Sequence, residues 1–289
     1  VVVAGGMESM SNAPYYLEQH RSGSKTGHQQ LVDGMIKDGL WDPYHDFHMG
    51  SAAELANTHY GISREEQDAY TLKSFAKAKQ AHHSGSFKDE ITPISIQTKK
   101  GTVVYETDED IDKLDPEKVG RLKPIFEPDG SITAANASNL NDGAAILILV
   151  SEKFLREHAL KPLAKIVAFA DAAQAPEWFT TSPAVAIDKT LKKAGLSIRD
   201  IDYFELNEAY ANVPIINSRL SGADPEKVNV KGGAVALGHP LGASGARILV
   251  TLTHILKQNQ ARYGMAAICN GGGGATAMLI EHVGGESLF

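Results

Sequence analysis

The chain opens on an unbroken apolar run, Val1-Val2-Val3-Ala4, that stops at Gly5-Gly6. A short continuous run ending in glycine predicts a buried strand entering a turn. Strands rarely start at a true terminus and no Met precedes this one, so residue 1 is expected to be a cut, with any targeting peptide upstream. A long polar stretch follows. Within it Ser63-Arg64-Glu65-Glu66 has capping-box spacing. It predicts a helix with Ala69, Leu72, Phe75 and Ala76 as apolar positions, ended at Ser84-Gly85. Residues 98–130 are charged and turn-rich, with Lys113, Lys118, Arg121 and Lys123 close together. On charge alone that cluster reads as a solvated surface.

From residue 131 the pattern changes. Residues 132–137 and 144–150 read as strands around an Asn141-Asp142-Gly143 turn, the second of them buried. Ser182-Pro183 opens a helix that Gly195 closes. Residues 201–206 predict a strand running into Asn207-Glu208-Ala209-Tyr210. A glycine-rich stretch, 232–245, opens a helix through Ile248, Leu252 and Ile255. Residues 265–269 and 275–281 read as strands joined by a turn at 270–274. The segments 132–150 and 265–281 share a form: small-residue strand, Asn/Gly turn, apolar strand. They read as two copies of one α/β unit, the first divided by the polar stretch.

Length fits this division, since 289 residues suit two cores. Hydrophobic residues at 43% and charged residues at 22% are ordinary for a globular chain. A net charge of -7 argues against a whole-protein nucleic-acid role, which Lys and Arg would drive. Cys269 is the single cysteine, so no internal disulfide forms and a reducing compartment is expected. No apolar run approaches the roughly 20 residues that a membrane span needs.

Candidate chemistry sits where glycine clusters. Gly238-His239-Pro240 lies in the glycine-rich stretch just before a helix, whose free N–H groups and dipole favour a neutral imidazole. Such an imidazole can take a thiol proton or donate to an oxyanion. The spacing is wrong for G-x-G-x-x-G. Taken alone, His239 could merely pack in a turn. Cys269 ends a strand against Gly271-Gly272-Gly273-Gly274, a run that leaves room for a substrate and is hard to justify by packing. A lone cysteine is more often a small buried hydrophobe. Asn207 directly follows a strand, where its amide could fix a water or an oxyanion, or simply cap a helix. The pair His45 and His48 lacks further clustered ligands, which disfavours a metal.

Together these residues carry a resemblance. Asn207-Glu208-Ala209-Tyr210, Gly238-His239-Pro240 and Cys269-Asn270-Gly271-Gly272-Gly273 resemble the thiolase family in order and approximate spacing. Gly5-Gly6-Met7-Glu8-Ser9-Met10-Ser11 and Thr133-Ala134-Ala135-Asn136-Ala137-Ser138 resemble it too, so the likeness spans essentially the whole chain. It implies an α/β thiolase fold of two repeated βαβ-type cores with a coenzyme A-binding loop domain inserted in the first. The first core would take 1–10 and 131–155, the insert 11–130, and the second core 156–289.

The resemblance implies a reversible Claisen condensation of two acetyl-CoA to acetoacetyl-CoA and CoA. The acyl-accepting cysteine would lie upstream of Val1, leaving this piece inactive alone. Cys269 would be the acid/base, His239 would activate the nucleophile, Asn207 would hold an oxyanion-hole water, and the Gly271 N–H would serve a second oxyanion hole. His48 and Met49 would line a short acyl pocket. Tyr70, Lys113, Leu114, Asp115, Lys118 and Ser138 would contact coenzyme A, giving the basic cluster a purpose. Position 113 is often Arg in relatives, and Lys lacks its planar fork. Potassium would sit against Tyr70 and the carbonyls of Ala134, Ala135, Ala137 and Val235. No covalent cofactor is implied. Within the family the likeness points to the short-chain mitochondrial members, which are commonly homotetramers. The C-terminal Ser287-Leu288-Phe289 is not the peroxisomal tripeptide. Ketoacyl synthases, which generally pair their cysteine with two histidines or with His and Asn, fit Cys269 poorly. A thiolase-like coenzyme A-binding scaffold without catalysis is the alternative.

Overall fold

A computed structural model describes residues 1–284 of the chain, so the C-terminal tripeptide lies outside the described residues. The largest sheet has four strands in the order Tyr203–Leu206, Tyr263–Asn270, Gly274–His282, Ala164–Ala173. The first pair is parallel and the other two are antiparallel. Phe204, Leu206, Met265, Ala267 and Leu279 pack with Ile187 and Leu191 of the helix Ser182–Ala194. That helix ends at Gly195, whose φ of +68° a β-carbon would strain.

The sheet's other face meets the helix Leu241–Asn259, where Ile248, Leu252 and Leu256 pack on Ala266 and Ile280. The far side of this helix meets a second sheet, Val2–Ser9 antiparallel to Asp142–Leu149. The approach is close enough to require glycine. A β-carbon on Gly6 would lie 1.8 Å from the Gly242 carbonyl oxygen. One helix is therefore covered by sheets on both sides. The repeat is real in form, but its first copy pairs Val2–Ser9 with Asp142–Leu149, as Tyr263–Asn270 pairs with Gly274–His282.

Three expectations need correction. Residues 132–137 form a turn, with Ala137 alone bridging to Tyr210. The Asn136 side chain takes the Thr133 N–H and donates to the Ser131 carbonyl, a local competitor to a sheet ladder. The strands at 1–4 and 144–150 do form in part, but one face of their sheet is open. Val3 is 67% exposed and Ile148 is 70% exposed. The helix Arg64–His83 has its predicted cap, Ser63 accepting from the Glu66 N–H, and stops at Ser84. Its buried face holds the expected Phe75 with Ala78 and Ala81, but it is largely polar. Gln67, Asp68, Thr71 and Ser74 are buried while Ala69 and Ala76 are exposed. Gln67 donates to Ser131, Asp68 accepts from Asn136, and Ser74 donates to Glu208. Hydrogen bonds as well as apolar packing orient this helix.

Candidate active site

His239 is set by the backbone around it. Gly238 has φ of +91°, and a β-carbon there would meet the Asn141 side chain at 2.3 Å. The His239 N–H donates to the Asn139 carbonyl at 3.1 Å. Its Nδ1 lies 2.6 Å from the Ser244 hydroxyl oxygen, and that hydroxyl donates to the Pro240 carbonyl at 2.9 Å. The hydroxyl has one hydrogen and it is spent on Pro240, so the network assigns the imidazole hydrogen to Nδ1. Nε2 then keeps its lone pair and accepts from the Asn207 amide at 3.1 Å. Burial, and secondarily the charge of Arg247, push the His239 pKa down to about 4. Neutrality therefore owes more to desolvation than to the helix dipole invoked from sequence.

Asn207 is not a helix cap, because the following helix is Asn212–Ser221, preceded by Ala211. Its N–H donates to the Ala267 carbonyl at 3.0 Å, which sets it at the end of the parallel strand pair. The side chain is buried, and Oδ1 finds no donor among the described residues. The amide thus has an acceptor and a second hydrogen free for a water or a substrate oxygen. Cys269 is next to last in the neighbouring strand, two residues past Ala267. It packs with Met49, Phe179, Tyr210 and Val213. Burial pushes its thiol up to about 12.

The glycines after Cys269 are partly structural, contrary to the sequence expectation. Gly272 and Gly273 have φ of +82° and +84°, and a β-carbon on Gly273 would lie 2.3 Å from the Gln174 carbonyl oxygen. Gly271 has space, its nearest neighbour being the Met49 sulfur at 3.5 Å from where a β-carbon would stand. His48 accepts from the Gly50 N–H and stacks on Phe126, and burial lowers its pKa. His45 lies between the carboxylates of Asp42 and Glu177. Among the described residues no three His, Cys, Asp or Glu side chains group as a metal site.

Glu208 is fully buried. It accepts from Tyr70, Ser74, Asn229 and the Val235 N–H, all of them neutral donors. Ser138 donates its N–H to the Ala209 carbonyl, behind Asn207. Leu114 packs against the cluster of Phe75, Ala78 and Val235. Lys113 pairs with Asp110 and Glu109, while Asp115 caps a short helix and pairs with Lys118. No hydrogen bond joins Lys113, Asp115 or Lys118 to His239, Asn207 or Cys269 among the described residues. Sequence reading missed Ser244. A hydroxyl five residues after a histidine, in the first turn of the predicted helix, was the available signal.

Known proteins match the chain over nearly its whole length. Residues 1–153 match the family described as Thiolase, N-terminal domain, and residues 160–282 match Thiolase, C-terminal domain. Acetyl-CoA acetyltransferase 1 of Arabidopsis thaliana is 52% identical over 291 aligned positions, covering 100% of this chain and 70% of that one. The cytosolic acetyl-CoA acetyltransferase ERG10 of Gibberella zeae is 49% identical, covering 98% and 72%. The crystal structure of Acat5 thiolase from Ascaris suum in complex with coenzyme A superposes with a TM-score of 0.92 at 46% identity, covering 98% and 72%. The mitochondrial expectation is overturned, since these curated relatives bear a general name or a cytosolic one. No described helix is long and apolar enough to cross a membrane.

Proposed function

This chain belongs to the thiolase family of acyltransferases, and from that premise we propose that it serves acetyl-CoA C-acetyltransferase chemistry, the reversible joining of two acetyl-CoA into acetoacetyl-CoA and CoA. The observation that carries the reading is the neutral Nε2 of His239 held by Asn207, with Cys269 near the end of the adjacent strand. The acyl acceptor is a cysteine outside residues 1–289. Cys269, the single thiol here, is protonated at neutral pH and poorly suited to open the reaction as a nucleophile.

In acyl transfer, the acceptor thiol gives its proton to Nε2, and its sulfur attacks the thioester carbonyl. The departing CoA thiolate recovers that proton from the imidazolium. The free hydrogen of Asn207, through a water, steadies oxygen charge. In thiolysis the Cys269 thiol delivers its proton to the enolate carbon of the leaving acetyl-CoA. In condensation its thiolate removes a methyl proton of the second acetyl-CoA. A high thiol pKa lowers the thiolate population but makes it a stronger base toward a weak carbon acid. The Gly271 N–H is offered to the thioester oxygen in this half-reaction. Coenzyme A would lie against Tyr70, Lys113, Leu114, Asp115, Lys118 and Ser138, with the acetyl end toward His48 and Met49. We place the assembly as a homotetramer.

Potassium suits the same region. The buried Glu208 carboxylate has only neutral hydrogen-bond donors, which fits a nearby cation. Tyr70 and the carbonyls of Ala134, Ala135, Ala137 and Val235 are hard oxygen donors for it. Bound there, the ion would supply positive charge to offset Glu208. Equal thermal midpoints and rates in potassium and sodium chloride would remove this assignment.

The deciding assay follows thiolysis of acetoacetyl-CoA and of a longer 3-ketoacyl-CoA by the complete enzyme. Turnover with preference for acetoacetyl-CoA is expected. Coenzyme A binding with no turnover would favour a scaffold.

A further inference from the structure

We propose that Asp110 is a positioning residue for His239, acting from the inserted loop region through the asparagines that support the histidine loop. The inference deepens the proposed function and rests on His239 acting on the thioester. Asp110 Oδ2 accepts from the side-chain amides of Asn139 at 3.1 Å and Asn141 at 3.2 Å. Its Oδ1 accepts from Lys113 at 2.8 Å. The carboxyl is held below the ordinary range because Lys113, Asn141 and Asn139 outweigh its desolvation. It is thus an anion over the working pH range, with both oxygens engaged.

Both asparagines touch the histidine loop directly. The Asn139 carbonyl takes the His239 N–H, and the Asn141 side chain fills the space a β-carbon on Gly238 would need. Gly143, two residues on, leaves room for the Pro240 ring, which a β-carbon would crowd at 2.6 Å. Residues 139–143 are therefore a shelf under Gly238-His239-Pro240. The next residue, Ile111, is buried with Val235 and Ala236, just ahead of that loop. Asp110 and Ile111 grip the shelf and the loop from one turn of chain.

Without the carboxylate, two amides lose their shared acceptor and the shelf can shift. Small misplacements of a catalytic base are costly, about 100-fold for 1 Å. Asp110 touches neither His239 nor a reacting atom, so the loss of the shelf is read in turnover, while any change in ligand affinity reports the release of Lys113, a proposed coenzyme A contact.

The test compares Asp110→Asn, Asp110→Ala, Asn141→Ala, Asp110→Ala/Asn141→Ala and His239→Ala in the complete enzyme, by acetoacetyl-CoA thiolysis and thermal midpoint. Asn has the shape of Asp, but its one oxygen would serve Asn139 and Asn141 only by turning its NH2 toward the Lys113 ammonium, so the three donors that Asp110 accepts cannot all be kept. For Asp110→Asn, kcat should fall roughly 10- to 100-fold with a nearly unchanged midpoint, whatever KM change accompanies the release of Lys113. The double variant should be little slower than the slower single one, because both break one support. Unchanged kcat, a loss confined to KM, or multiplying losses would overturn the inference. If Asp110→Ala does not fold, the asparagine variant decides by its kcat and KM. A slow His239→Ala with a full-rate Asp110→Asn would sink this inference alone. A full-rate His239→Ala would sink the proposed role of His239 itself.

Discussion

Asn207 donates to the Nε2 of His239 at 3.1 Å, although the two lie on different elements and 32 positions apart. The contact requires an Nε2 lone pair, and the Ser244–Pro240 hydrogen bond at the far side of the ring supplies that tautomer. Replacing the donor tests the pair. Asn207→Asp puts a carboxylate against the imidazole and should raise the His239 pKa. The acid limb of the kcat profile should then move upward from near pH 4, the wild-type value of this group. An acid limb at the same pH in both proteins would mean that His239 does not govern it.

Cys269→Ala should separate the half-reactions. Acetylation of the acceptor cysteine should survive, while condensation should fall by roughly 100- to 10,000-fold, the usual share of a general acid/base. Quenched-flow labelling with acetyl-CoA, alongside the condensation assay, reads both. Near-normal condensation would remove Cys269 from the proton transfer.

The buried imidazole also predicts a slope in stability. Between about pH 4 and pH 6.5 the unfolded chain protonates this histidine and the folded chain does not. The unfolded state then binds more protons, so stability rises with pH through that window. It falls as pH drops toward 4, by about 3 kcal/mol at full extent. His239→Gln should remove this rising contribution, making the slope of the denaturation profile more negative across that window. An unchanged slope would place the responsible group elsewhere.

Glu205 should act in the opposite direction. Its carboxyl is fully buried, and desolvation holds it up at about 8 despite Arg247 at 3.4 Å. From about pH 4.5 to 8 the folded state keeps a proton that the unfolded state has lost, so stability declines as pH rises. Glu205→Gln should remove that decline and gain relative stability toward pH 8. Parallel urea titrations of both proteins across the range check it.

Two adjacent glycines should respond unequally to alanine. Gly272 has positive φ but open surroundings, so Gly272→Ala should cost about 1–2 kcal/mol of strain. Gly273 adds a clash with the Gln174 carbonyl, so Gly273→Ala should cost about 3 kcal/mol or more. Equal shifts in urea midpoint would show that the turn yields.

Much of the second core was legible because its signals were local. Pro183 and Gly195 marked the helix Ser182–Ala194, and apolar runs marked Tyr263–Asn270 and Gly274–His282. The short segment after Thr133 misled, since apolar composition does not reveal that Asn136 binds its own backbone. The helix Arg64–His83 misled for a related reason. Gln67, Asp68 and Ser74 are buried because partners far along the chain satisfy them, and sequence periodicity does not display partners. At the site, glycine context drew attention to His239 and Cys269. The support from Ser244 and Asp110 depended on folded distances.

The helix Leu241–Asn259, covered by a sheet on each side, also limits how the chain can be divided. A cut between residues 153 and 160, where the two family matches separate, would strip one half of its central helix and leave the other with that helix half bare. The halves should therefore melt as one calorimetric unit, and neither should persist as an independent fragment.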